Sequence, residues 1–222
     1  MNQSRSTYHS KLYREFRSIE ASEWRTVIRF YKEYEGKLKG LEFEEYFEIL
    51  LAYTNALFET GAHREHLKAA DEVIETSMMN NVKFFNGDDV LQNTLFKKAA
   101  SCFQTHQLEK ADYLLRELLR IDPYDEDGAL FLKSCLRKMR SDIVKKARAV
   151  SLFLLLMSAL LICVEVLLVR RHYPIYTDLV VASRNSTLFL SVMVMLGAGL
   201  YHRMRTDREV ENFVEHLKKR KK

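Results

Sequence analysis

The chain has 222 residues, 47% of them apolar, with seven glycines, two prolines and three cysteines, so glycine-rich phosphate loops, disulfide frameworks and turn-rich β folds are excluded and long helices are favoured. Its net charge of +5 is unevenly spread: residues 1–136 carry 18 basic and 23 acidic side chains, residues 137–148 six basic against one acidic, and residues 203–222 eight against four. A nucleic-acid-binding domain would carry the opposite distribution, so no nucleic-acid partner is expected.

Residues 1–22 hold only a weak stripe, Leu12, Phe16 and Ile19, and are expected to form an arm or short helix; no apolar leader marks them for export. From Glu23 the period strengthens. Trp24, Val27, Ile28, Tyr31 and Tyr34 recur at three- and four-residue intervals, the signature of one buried helical face, and Gly36 and Gly40 bracket its end. A second helix is expected over 41–60, stopping at Gly61, and a third over 64–79 with Leu67, Ala70, Val73 and Ile74 inward. Residues 80–89 read as a polar turn, with Asp88 or Asp89 capping the next helix.

The following segment is more specific. Leu95, Ala99, Cys102, Phe103, Leu108, Ala111, Leu115, Leu118, Ile121 and Pro123 have the spacing of a helix–turn–helix unit and closely resemble the tetratricopeptide-repeat (TPR) family, with His106 in the place of the turn glycine. Residues 41–79, through Leu50, Leu57, Gly61, Ala69 and Ala70, resemble the same family more weakly, as a degenerate repeat with a turn about two or three residues too long. The resemblance implies an all-α, TPR-like solenoid of antiparallel helix pairs over residues 23–146. A peptide or partner helix would enter its concave groove, formed by the first helix of each unit. By position, Asn93, Phe96, Lys97, Ala100, Phe103 and Gln104 line that groove, joined by Asn55 and Phe58; Phe96 and Phe103 read equally well as core.

Residues 124–146 carry Ala129, Leu132, Leu136, Met139 and Ile143 and run without glycine or proline into an apolar stretch at 149–169, predicting one nearly continuous helical rod. That stretch is about 31 Å long as a helix, one bilayer core, and a second run at 186–201 is nearer 24 Å. Residues 147–202 are therefore expected to form a transmembrane helical hairpin, followed by a separate basic tail at 203–222. Basic flanks outside the hairpin outweigh Arg170, Arg171 and Arg184 within it, placing both termini in the cytoplasm, by expectation at a bacterial inner membrane.

Glu165 is ionisable within a span, an interfacial anchor or a contact between helices or subunits, with an ion path as the remaining alternative. Gly197 and Gly199 let another helix approach, the first span or a second copy of the chain. His63 and His66, three apart beside Glu59 and Glu65, have ligand chemistry, but a solvated helix start accounts for them, and no metal, cofactor or catalytic motif is expected. The expected function is a non-enzymatic, membrane-anchored scaffold or adaptor holding a protein partner at the cytoplasmic face of a larger complex. The alternative is a membrane effector or channel-like subunit whose TPR-like domain senses a partner and whose hairpin forms homo-oligomers.

Overall fold

The computed structural model describes residues 10–20, 22–140, 142–169 and 177–221, which divide into two compact units, Met1–Gly128 and Ala129–Lys222. The fold is nearly all-α.

In the first unit, α1 (Lys11–Arg17) is N-capped by Ser10, whose Oγ accepts from the Tyr13 amide at 3.1 Å. It is tied to α3 (Phe43–Glu59) through Glu48, which accepts from Tyr13 Oη at 2.6 Å and Arg17 Nη1 at 2.8 Å. Beyond α1, each helix packs on its successor: α2 (Trp24–Leu38) on α3, α3 on α4 (His63–Met79), α4 on α5 (Val90–Gln104), and α5 on α6 (Leu108–Ile121). Phe47, Leu50 and Leu57 of α3 are wholly buried, each stabilising by about 1.5–3 kcal/mol. Ala99 and Ala111, both at 0% exposure, lie on α5 and α6 with no side-chain bulk to hold those helices apart. Trp24 departs from the expected buried stripe: at the first position of α2 it is 37% exposed.

The α3–α4 and α5–α6 connections close in the same way, so the longer turn expected in the first unit is not present. Each has three residues, 60–62 and 105–107, and each reverses through a left-handed residue, Gly61 at φ 75° and His106 at φ 61°. In both, an amide beyond the helix returns to a carbonyl five residues back, Ala62 to Leu57 and Gln107 to Cys102. Between α4 and α5, Phe84–Phe85 (β1) and Asp88–Asp89 (β2) pair as a small hairpin about Asn86 and Gly87, both with positive φ. Asp89 then caps α5, accepting from the Gln92 amide at 3.0 Å.

The second unit corrects the expected rod and tail. α7 (Glu126–Met139), whose first turn contains the division between units, ends with Arg137 and Lys138, and α8 (Asp142–Val164) opens with an acid; that charge order suits one helix ending and another beginning. α8 widens into a π turn at Glu165–Val169. The second apolar run and the basic tail are one helix, α9 (Thr177–Lys221), because no residue after Tyr201 interrupts it. Val144–Leu167 and α9 are each long and apolar enough to cross a membrane. They run antiparallel, since Ser151 meets Ser191 while Glu165 meets the earlier Arg184.

Candidate functional site

A cavity of about 440 Å³ opens in the first unit. Its apolar wall comes from Phe16, Ile19, Trp24, Val27, Leu51 and Phe85, drawn from α1, α2, α3 and β1. Its polar wall contains Asn55 of α3 and Asn93, Thr94 and Lys97 of α5. Lys97 Nζ donates to Asn55 Oδ1 at 2.7 Å and stands 5.7 Å from the centre of the Phe58 ring, which holds the ammonium against the wall. The rim carries Glu20, Glu48, Glu59 and Asp88 against Arg17 and Lys97, and Arg17 is neutralised by Glu48. The arrangement suits an apolar side chain at the centre and cationic or amide groups at the edge.

His66 also lines the cavity and belongs to a buried polar knot. Ser101 Oγ bridges His66 Nδ1 at 2.9 Å and His63 Nδ1 at 3.2 Å, and Phe58 packs on both rings. His66 is therefore not on a solvated helix start. It is wholly buried, its Nε2 has no hydrogen-bond partner, and burial above all, helped by the charges of His63, Lys97 and Lys98, pushes its pKa down to about 4. Ser101 is also at 0% exposure, so this Ser–His contact presents no nucleophile to a substrate. Among the described residues no three His, Cys, Asp or Glu side chains converge as metal ligands.

The eight expected groove residues separate. Asn55, Asn93 and Lys97 line the cavity, and Phe58 backs it. Phe96 instead borders a second hollow with Asp88, Asp89, Asp122, Asp125 and Asp127, several of which cap backbone amides. Ala100 and Phe103, half-buried, and the exposed Gln104 line neither. Trp24, Phe16, Leu51, Phe85 and Thr94 complete the cavity and had no place in the expected groove. Their convergence depends on α1 and the β hairpin folding against α3, contacts between residues far apart in sequence.

In the second unit the side-chain polarity is inverted. Ser151, Ser158 and Glu165, seven residues apart, are buried on α8 and its π turn, and Ser191, His202 and Thr206 are buried on α9. Leu152, Phe153, Leu156, Leu188, Phe189 and Met193 face outward at 47–67% exposure. Ser191 Oγ contacts Ser151 Oγ at 3.0 Å and donates to the Ser151 carbonyl at 2.9 Å. Glu165, 1% exposed, accepts from Arg184 Nη1 at 2.8 Å. Gly197 and Gly199 do not mediate close approach of α8: each is exposed, and a Cβ added to either would meet nothing within 4 Å. Arg170 and Arg171 lie outside the described residues.

Comparison with protein-family models, with curated proteins and with solved structures returns no match.

Proposed function

We propose that this chain is a membrane-anchored, non-enzymatic adaptor. Its TPR-like helix-pair domain offers the cavity between α1, α3 and α5 to a peptide or helix of a protein partner, at the cytoplasmic face of a membrane. The observation that carries the anchor is the inverted polarity of α8 and α9. In water a helix pair gains by burying leucine and exposing serine; the reverse arrangement is favourable where hydrocarbon is the solvent and polar groups must satisfy one another inside. The cavity supports the docking half of the reading through its apolar wall, its lysine and its acidic rim.

The channel-like alternative has Glu165 and the Gly197 region facing one another between subunits. Glu165 is turned inward to Arg184 and Gly197 outward, which favours the anchor.

The test is a crosslinked pull-down from membranes, comparing the intact chain with a Trp24→Ala, Lys97→Glu variant and a Gln104→Ala control. The double variant should remain in the membrane fraction and lose its partners, and the control should keep them. Recovery of the same partners by all three would place docking elsewhere.

A further inference from the structure

Among the described residues the buried threonines are Thr54, Thr94 and Thr206. Thr54 and Thr206 donate their hydroxyls to the helix carbonyl four residues back, at 2.8 and 2.9 Å, which satisfies them within their own helices. Thr94 does not. It is only 7% exposed and lines the cavity of the first unit, yet its side chain makes no hydrogen bond. A buried hydroxyl in that state is costly unless a group from outside reaches it.

Thr94 and Lys97 are three residues apart on α5, so they are neighbours on the face that borders the cavity. Lys97 Nζ gives one hydrogen to Asn55 Oδ1 and meets no carboxylate, which leaves it donors to spare. An atom seated between the two must accept from the ammonium and can donate to the Thr94 oxygen; a hydroxyl does both. A carboxylate would only accept, and the rim opposes it. Glu20, Glu59 and Asp88 border the same cavity without an ion pair, three carboxylates against the one ammonium, so the mouth favours a cation.

The remaining wall is suited to a flat apolar body. Phe16, Trp24 and Phe85 bring three rings from α1, α2 and β1, and about 440 Å³ is within the range of small-ligand sites. A phenol supplies both the ring and the hydroxyl at its tip.

We propose that the cavity takes a tyrosine side chain of the partner, with the ring among Phe16, Trp24 and Phe85 and the hydroxyl between Thr94 and Lys97. Lysine or arginine neighbours of that tyrosine meet the carboxylates at the rim. This assignment rests on the reading of the cavity as the place where a protein partner docks.

The experiment titrates the full chain in detergent micelles with the peptides Gly-Lys-Tyr-Lys-Gly and Gly-Lys-Phe-Lys-Gly, blocked at both ends so that no terminal charge contributes. Binding is read from the emission of Trp24, the single tryptophan, excited beyond tyrosine absorption. The tyrosine peptide should bind about tenfold more tightly, the scale of hydrogen bonding to a buried group otherwise unsatisfied. Thr94→Val keeps the shape and removes the hydroxyl, so it should abolish that preference and leave the affinity of the phenylalanine peptide unchanged. A tyrosine peptide with glutamates in place of its lysines should bind about fivefold more weakly at low salt. Equal affinity for the tyrosine and phenylalanine peptides, a preference that survives in Thr94→Val, or a glutamate peptide that binds as well as the lysine one overturns the assignment and leaves the docking reading in place. No response to any peptide overturns the assignment as well, and the docking reading then stands or falls on the crosslinked pull-down with the Trp24→Ala, Lys97→Glu variant.

Discussion

His66 shows how one side chain carries an energetic penalty that its local sequence does not reveal. Its partner Ser101 is 35 residues away, so nothing around position 66 distinguishes a buried imidazole from a solvated one. The folded ring titrates near 4 against about 6.5 when free, so the unfolded chain takes up the proton first as pH falls. The His66 contribution to stability is constant above about pH 6.5, becomes increasingly unfavourable below it and levels off near 4, a loss of roughly 3 kcal/mol from this group. Denaturant midpoints read from the single tryptophan, Trp24, should follow that slope, and His66→Gln should flatten it. Ser158 was legible in a different way. With Ser151 and Glu165 it repeats every seven residues through an otherwise apolar run, a polar stripe visible in the sequence beneath the run's length and hydropathy. Its buried Oγ has no partner, so Ser158→Ala should be neutral or slightly stabilising when unfolding of the full chain in detergent is measured.

At the level of elements, the helices of the first unit follow from apolar spacing and scarce glycine, and α3 and α4 fall within a few residues of where periodicity places them. Asn86-Gly87 is a strong hairpin signal, yet strands of two residues are too short to show alternation. The π turn after Val164 left no trace in composition. The paired turns at Gly61 and His106 make a prediction of opposite signs. Gly61→Ala forces a Cβ into left-handed backbone and should lower the unfolding midpoint by about 1 kcal/mol, whereas His106→Gly relieves that conformation and should raise it by up to about 1 kcal/mol. Two shifts of the same sign would show that the turns are not equivalent.

At the scale of the molecule, the sequence revealed two kinds of region, an acidic helical one and an apolar one bounded by bases, but not that α9 unites the second apolar run with the tail. Glu165 and Arg184 test the interior of the α8–α9 pair as a whole. Arg184→Ala strands the buried Glu165 carboxylate at about 3–5 kcal/mol, whereas Glu165→Ala leaves a part-exposed guanidinium, so Arg184→Ala should reduce the carbonate-resistant membrane fraction the more. Exchanging the two, as E165R with R184E, should restore much of it; failure to do so would mean that their partnership is not what stabilises insertion. The length of α9 has a mechanical consequence. Forty-five unbroken residues make a strut about 68 Å long, and no proline or second-helix junction offers it a joint. The opposing side of the pair does have a joint, where α7 ends at Met139 and Arg140 forms a turn. A pull or tilt applied at Lys221 therefore arrives at Thr177 as leverage, and the bend that accommodates it falls on the other side.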